Sequence, residues 1–277
     1  MAKVSQLLDS AEQLRATSDS PQVDCEMLLC HVLEVDRSWL RTWPDAVVDA
    51  EQVEQFKTLL EARVEGVPIA YLIGSRGFWN LDLKLTADTL IPRPETELVV
   101  ETALDLPLSN CSHVLDLGTG SGAIALALAS ERPSWQLIAV DSQSDTLAVA
   151  RQNCHQYKLH NVQMVQSDWF TDIADQFNLI VSNPPYIERN DAHLQRGDVR
   201  FEPIAALVSG DDGLDDLKHI IKHSPDYLTD SGWLVVEHGF NQALAVRDLF
   251  TSAGFTEVVT RCDYSQLERV TLGQWRL

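Results

Sequence analysis

The feature that most constrains the fold of this chain is an alternation of strand-like and helix-like segments from about residue 98 onwards. Short apolar runs are followed by stretches in which apolar residues recur at helical spacing. This alternation is typical of a largely parallel sheet that is covered by helices on both faces. The predicted strands are 114–118, 137–141, 162–168, 177–183, 233–239, 255–262 and 268–275.

These segments predict an α/β fold with a doubly wound, mostly parallel, seven-stranded sheet. The last two predicted strands are separated by only a few residues. A parallel connection needs a crossover of a dozen or more residues, so this short spacing predicts an antiparallel hairpin at one edge of the sheet.

The residues before the sheet have a different pattern. Apolar residues recur at helical spacing through 1–73, which predicts a small helical bundle, with Asp24 and Asp49 near two of its helix starts. Glycines and prolines then interrupt that spacing, and residues 78–85 alternate apolar with polar side chains, as in a strand of a hairpin. We therefore predict a bundle over 1–73, a hairpin linker over 74–97 and the α/β domain over 98–277.

Charge and cysteine content limit the classes of partner. The chain has 41 acidic and 21 basic residues and a net charge of −20, which disfavours direct binding to nucleic acid, a dense polyanion. The five cysteines form no metal-binding pattern, which is typical of free thiols in a reducing cytoplasm. No apolar stretch approaches the roughly 20 residues of a membrane span. We expect a cytoplasmic protein, most simply a monomer, with no metal site.

A glycine-rich turn follows the first predicted strand and opens a helix. In an open parallel sheet this crevice binds nucleotide-like ligands, and the acidic Asp141 at the end of the next strand is placed to accept ribose hydroxyls. The spacing departs from the dinucleotide pattern, because Ala125 stands where a third glycine is expected. Asp116 just before the glycines suits a ligand with an amino-bearing end, which favours S-adenosylmethionine over NAD. The predicted contacts in the turn are Gly118, Thr119, Gly120, Ser121 and Gly122.

Asp168 and Trp169 close the third predicted strand. Asp168 could meet the amino group of an adenine and Trp169 could pack on its ring face. A helix cap followed by a core aromatic residue explains the same pair about equally well.

The fourth predicted strand ends in Asn183, Pro184, Pro185 and Tyr186. The two prolines terminate the strand and fix the backbone, which leaves Asn183 beside the predicted cofactor crevice. The Asn183 side-chain oxygen and the Pro184 carbonyl can each accept one N–H of a planar NH₂ group, and Tyr186 can pack on that group. Such a clamp would hold a poorly nucleophilic nitrogen in line for methyl transfer. A glutamine amide and an adenine amine both satisfy this description.

The segments DLGTGSGAIALALA and NPPY together resemble the class I, Rossmann-like S-adenosylmethionine methyltransferases. Within that class, several further segments resemble the HemK/PrmC family of peptide chain release factor glutamine methyltransferases. These are IPRPETE at 91–97, GDVRFEP at 197–203, EHG at 237–239 and the C-terminal stretches 263–264 and 268–273. With the helical N-terminal part, the resemblance covers essentially the whole chain.

The resemblance implies methylation of the side-chain amide (N5) of the glutamine in the Gly-Gly-Gln motif of class 1 release factors. It implies S-adenosylmethionine as cofactor, with cofactor contacts from residues 118–122, Asp141, Trp169 and Asn183. It also implies substrate contacts from Asn183 to Tyr186 and a bundle that binds the substrate protein. Ser121 stands where many relatives have Thr. A ribosomal-protein glutamine methyltransferase shares NPPY and remains an alternative, as does a nucleic-acid adenine-N6 methyltransferase, although IPRPETE favours the release factor enzymes.

Overall fold

The computed structural model describes residues 2–276, and the chain divides into two compact units. The first unit contains the residues up to 75 together with 192–201, and the second contains 76–191 and the residues from 202 onwards. This division differs from the boundaries expected from sequence. Nearly all of the predicted linker belongs to the second unit, and segment 192–201, expected in the α/β domain, belongs to the first.

The first unit is helical. Its elements are β1 Ala2–Lys3, α1 Val4–Leu8, α2 Pro21–Leu33, α3 Arg37–Thr42, β2 Val47–Val48, α4 Ala50–Val64 and α5 Ile69–Ile73. The two short strands pair antiparallel. Apolar side chains from all five helices form one core, in which Leu28, Leu29 and Phe56 are completely buried.

The two acidic residues near predicted helix starts have different roles. Asp49 is the N-cap of α4, and its side chain accepts a hydrogen bond from the Gln52 N–H at 2.9 Å. Asp24 is not a cap, because it lies inside α2. Its carboxylate pairs with buried Arg63 at 2.8 Å, and Arg63 also pairs with Asp198 at 2.7 Å. An unpaired buried guanidinium would be costly, so these two acids stabilise Arg63 inside the unit.

The second unit is built on a seven-stranded sheet, preceded by the hairpin strands β3 Ser75–Phe78 and β4 Leu81–Lys84. The strands of the large sheet are β5 His113–Leu117, β6 Gln136–Asp141, β7 Val162–Gln166, β8 Phe177–Ser182, β9 Leu228–Glu237, β10 Thr256–Cys262 and β11 Glu268–Gln274. Their order is β10-β11-β9-β8-β5-β6-β7. Among the described strands, β11 pairs antiparallel with both β10 and β9, and the other neighbouring strands pair in parallel. The predicted mostly parallel sheet with an antiparallel edge hairpin is therefore confirmed.

Helices cover both faces of this sheet. They are α6 Glu97–Asp105, α7 Ala123–Glu131, α8 Ser144–Gln156, α9 Asp215–Tyr227 and α10 Ala243–Ser252. Alternate strand residues enter different cores: Val114 and Leu179 pack with α6 and α7, whereas Leu115 and Ile180 pack with α9 and α10. This period of two is the pleat of a strand that is buried on both faces.

Strand order reverses between β5 and β8, the two central neighbours that are not consecutive in sequence. Parallel α/β sheets bind ligands at the carboxyl ends of their strands beside such a reversal. The glycine-rich turn follows β5 and Asn183 follows β8, so both predicted site segments lie at this point. Within residues 2–276, no helix is long and apolar enough to cross a membrane.

Candidate functional site

A cleft of about 300 Å³ opens at the carboxyl ends of β5, β6 and β8. This volume is at the lower end of the roughly 300–1,000 Å³ that is typical of small-molecule sites. Most of the predicted site residues line it, namely Gly118, Thr119, Gly120, Ser121, Asp141, Asp168, Trp169, Asn183 and Pro185. Gly122, Pro184 and Tyr186 are not among the lining residues.

The glycine-rich turn is shaped by left-handed backbone conformations. Gly118 has φ +70°, and a Cβ atom at this position would lie 3.4 Å from the Trp169 ring. Gly122, the N-cap of α7, has φ +90°, and its Cβ would lie 2.9 Å from Leu126 Cδ1. Gly118 therefore lets the turn form beside the aromatic wall of the cleft, whereas Gly122 sets the packing of α7 and is not among the residues that line the cleft.

Asp116 stabilises this turn from beneath. It is 1% exposed, and its Oδ2 accepts hydrogen bonds from Thr119 Oγ1 at 2.7 Å and the Ala125 N–H at 3.2 Å. Burial raises the pKa of Asp116 to about 7. Asp116 is not among the residues that line the cleft, so its suggested role towards an amino-bearing ligand end stays a prediction. The hydrogen bonds of its Oδ2 fix the start of α7.

Asp141 presents a carboxylate to the cleft at the end of β6. Its Oδ2 accepts the Gly120 N–H at 3.1 Å and its Oδ1 accepts the Gln143 N–H at 3.0 Å. Burial raises its pKa, and these backbone N–H groups oppose the rise by stabilising the charged form. A carboxylate has about four lone-pair sites, so two remain for ligand hydroxyls. The donor set fits the ribose of an adenosyl cofactor.

Trp169 and Asp168 form another wall of the cleft. Trp169 has φ +49°, and its carbonyl accepts a hydrogen bond from Ser167 Oγ at 2.9 Å. The uncommon conformation and the close approach to Gly118 place the indole beside the glycine-rich turn. The arrangement fits an adenine ring lying against Trp169, with Asp168 as a polar neighbour. Both residues line the cleft, which favours the ligand role over the purely structural one.

Asn183 lies just beyond β8 with its side-chain amide held on one side. Its Nδ2 donates to Thr96 Oγ1 at 3.0 Å, and Thr96 is buried. Among the hydrogen bonds of residues 2–276, none is accepted by Asn183 Oδ1 or by the Pro184 carbonyl. The two acceptors required by the predicted clamp are therefore available.

Tyr186 is held by two hydrogen bonds that the sequence did not predict. Its hydroxyl donates to Glu237 Oε1 at 3.0 Å, and its backbone N–H donates to Leu207 O at 3.2 Å. Burial and the adjacent Glu237 raise its pKa well above the usual value, so the hydroxyl stays protonated and continues to donate.

Sequence reasoning missed two groups around the clamp, Thr96 and Glu237. A signal for Glu237 was present, because it is an acidic residue at the end of the otherwise apolar run WLVVE. Thr96 gave no separate signal inside PETE. The cleft wall formed by Pro203, Ala205 and Ala206 was also missed, since small apolar residues in a loop carry no chemical pattern.

Comparisons with known proteins identify the family of this chain. The PrmC N-terminal domain family matches residues 6–74, and the methyltransferase small domain family matches 95–199. The release factor glutamine methyltransferase of Aliivibrio fischeri is 52% identical over 93% of this chain and 92% of its own length. The enzyme of that name from Escherichia coli is 49% identical over 97% of each chain.

The fold is shared with more distant methyltransferases. A 16S rRNA methyltransferase of T. thermophilus, solved in complex with AdoMet and guanosine, superposes with a TM-score of 0.51 at 19% identity. The match covers 73% of this chain and 50% of that one. The fold is that of a class I methyltransferase, and S-adenosylmethionine is the cofactor. With about half of its residues identical to those relatives over nearly their full length, the chain belongs to the release factor glutamine methyltransferase family.

Proposed function

We propose that this enzyme transfers a methyl group from S-adenosylmethionine to the side-chain amide nitrogen of the Gly-Gly-Gln glutamine in peptide chain release factors. The observation that carries the proposal is the Asn183 amide, held through Nδ2 by Thr96 at the edge of the cleft with Oδ1 unused. The names of the relatives supply the substrate class.

The residues of the clamp act on a nitrogen that is a poor nucleophile, because its lone pair is delocalised into the amide. Asn183 Oδ1 and the Pro184 carbonyl accept its two N–H groups and fix its position. The two hydrogen bonds favour a more tetrahedral geometry at the nitrogen, which is the geometry that the nitrogen adopts during methyl transfer. No general base is needed before transfer, since the nitrogen becomes acidic only afterwards.

The cofactor is held by the rest of the cleft. Asp141 would accept the ribose hydroxyls, Trp169 and Asp168 would contact the adenine, and residues 118–122 would allow close approach of the backbone. When bound, S-adenosylmethionine supplies an electrophilic methyl group on its sulfonium centre. The prolines after Asn183 keep the acceptors fixed, so little reorganisation accompanies the transfer.

A protein substrate suits the charge of the chain. The net charge of −20 would repel a nucleic-acid backbone, which supports a glutamine over an adenine as the planar target. We propose that the enzyme works as a cytoplasmic monomer without direct contact to nucleic acid. The five cysteines, all free of disulfides, support a reducing compartment.

We further propose that the helical first unit contacts the release factor. Its surface exposes the apolar side chains of Trp43 (58%) and Val47 (61%). Exposed aromatic residues are frequent anchors of protein interfaces.

Replacing Trp43 with Ala should raise the KM for the release factor about tenfold and leave kcat unchanged, because about 1–2 kcal/mol of binding is lost away from the reacting atoms. Steady-state kinetics with a release factor would measure both constants. Val23→Ala, at another exposed apolar position of the same unit, is the control. Equal KM values for the Trp43 variant and the wild type would rule out this contact.

The proposed activity predicts that labelled methyl from S-adenosylmethionine enters a purified release factor and maps to the Gly-Gly-Gln peptide. A folded release factor in which that Gln is replaced by Ala should take up no label, because the acceptor nitrogen is gone. Peptide mapping by mass spectrometry identifies the modified residue. Labelling that persists in the variant, or that appears only on a ribosomal protein or on nucleic acid, would overturn the assignment.

A further inference from the structure

Phe240 is an exposed aromatic residue in the loop between β9 and α10. Its side chain is 57% exposed, and Asn241 beside it is also exposed, whereas Gly239 and Gln242 on either side of this pair are buried. Phe240 therefore projects from a buried base. A single exposed apolar side chain is common on soluble proteins, so the exposure alone assigns Phe240 no role. Its place beside the clamp and the rigidity of its loop distinguish it.

The loop that carries Phe240 is bonded to the clamp. β8 and β9 are parallel neighbours in register, so their carboxyl ends lie side by side. Asn183 follows the first of these strands and the Phe240 loop follows the second. Gln242 joins the two segments directly, because its Nε2 donates to the Tyr186 carbonyl at 3.0 Å. Phe240 is thus two residues away from a side chain that holds the Asn-Pro-Pro-Tyr segment.

Hydrogen bonds fix the base of this loop on several sides. The Gly239 N–H donates to Gln242 Oε1 at 2.8 Å, and Gln242 Nε2 also donates to Gly213 O at 3.3 Å. The ring nitrogens of His238 are bonded to the Gly239 carbonyl and to Thr271 Oγ1, each at 2.9 Å. A loop that is already ordered loses little further freedom when a partner binds to it.

Arg269 supports the Phe240 ring itself. Its guanidinium carbon lies over the ring, 5.5 Å from the centroid, and its Nε pairs with Asp263 at 3.1 Å. A cation over an aromatic face is attracted by the negative charge of that face. Arg269 packs on one face only, and more than half of the Phe240 side chain stays exposed. The ring therefore presents a flat apolar surface at the edge of the sheet that carries the clamp.

We propose that the Phe240 ring binds the two glycines that precede the target glutamine in the release factor, and so contributes to specificity for the Gly-Gly-Gln motif. When the glutamine amide enters the clamp, the backbone beside it must cross the carboxyl edge of the sheet, where Phe240 projects. The inference rests on the proposed function, since it concerns the substrate of the same site.

A flat ring suits a pair of glycines. Glycines offer no side chain for a pocket to recognise, but their bare backbone can approach a surface closely, and a Cβ atom at either position would hold it away. Aromatic residues and arginine are also enriched in the buried centres of protein interfaces, and Phe240 on Arg269 is such a pair.

Phe240→Ala should raise the KM for the release factor about tenfold, while kcat and the dissociation constant of S-adenosylmethionine stay within about twofold of the wild type. The ring contacts the substrate backbone and not the reacting atoms, so the loss falls on KM. Phe240→Tyr keeps the ring and should behave like the wild type. Val259→Ala, at an exposed apolar position of the edge strand β10, is the control. Thermal unfolding of each variant verifies that it is folded.

A substitution in the release factor supplies a second readout, which a loss of packing within the enzyme would not produce. Replacing the glycine just before the target Gln with Ala should lower kcat/KM of the wild-type enzyme about tenfold, because the new Cβ meets the ring. With Phe240→Ala the same substitution should cost less than about threefold, since the ring is gone. With Val259→Ala it should cost as much as with the wild type.

Equal KM values for Phe240→Ala and the wild type would overturn the contact. A glycine substitution that costs the same with and without the Phe240 ring, or that costs nothing with the wild-type enzyme, would overturn it as well. A wild-type enzyme that methylates no release factor would instead refute the proposed function.

Discussion

Replacing Asn183 with Ala should lower kcat by about 1,000-fold while S-adenosylmethionine still binds with somewhat reduced affinity. The substitution removes Oδ1, one of the two acceptors for the target N–H groups, and leaves the Pro184 carbonyl alone. Loss of one preorganised hydrogen-bonding group at a reacting centre costs roughly 100- to 1,000-fold in rate. Here the lost group also positions the nucleophile, which places the effect at the upper end.

Single-turnover methyl transfer to a release factor measures the chemical step, and calorimetry measures cofactor binding. Asn190→Ala, at an exposed asparagine farther along the same loop, is the matched control and should keep wild-type activity. An Asn183→Ala enzyme of nearly full activity would refute the amide clamp. Loss of cofactor binding together with activity would place Asn183 in the cofactor site alone.

Replacing Asp141 with Ala should weaken S-adenosylmethionine binding by about 1.5–3 kcal/mol, roughly 10- to 150-fold in dissociation constant. The carboxylate lines the cleft and accepts from the Gly120 N–H, so its removal takes away the ribose acceptor and also loosens the glycine-rich turn. At saturating cofactor kcat should recover to within a few-fold, because Asp141 lies away from the clamp.

Isothermal calorimetry with S-adenosylmethionine and with its demethylated product tests this expectation. Asp145→Ala removes an exposed carboxylate from the first turn of α8 and is the charge-matched control. Equal affinities for the Asp141 variant and the wild type would show that the ribose is held by other groups. An Asp141→Ala enzyme with unchanged cofactor affinity and low kcat would show that Asp141 acts in the catalytic step and not in cofactor binding.

Much of the second unit follows from local sequence. The pleat, with a period of two, separates residues such as Val114 and Leu115 into two cores, and the apolar runs therefore predict strands that are covered on both faces. Short connections predict the edge hairpin. Because parallel strands share one carboxyl edge, the sequence also places the glycine-rich turn and Asn183 near each other before any coordinates are known.

Other features of the fold could not be predicted from neighbouring residues in the sequence. Segment 192–201 follows the clamp in sequence but belongs to the helical unit, where Asp198 pairs with Arg63. An exposed-looking acid in a loop gives no indication of a partner 135 residues away. The direction of the Asp116 side chain could not be predicted from local sequence either. The side of a turn to which a carboxylate points depends on how the next helix packs.

The sequence by itself determined which functional groups follow which strands. A glycine-rich turn follows one strand, an acidic residue follows the next, and Asn-Pro-Pro-Tyr follows a later one. These are local patterns, set by backbone freedom and by the period of apolar residues. Only the tertiary structure decided which way the Asn183 amide is held, because Thr96, which accepts a hydrogen bond from Asn183 Nδ2, belongs to a distant segment of the chain. Hydrogen-bond direction depends on every partner in the chain of donors and acceptors, and those partners meet only when the sheet has formed.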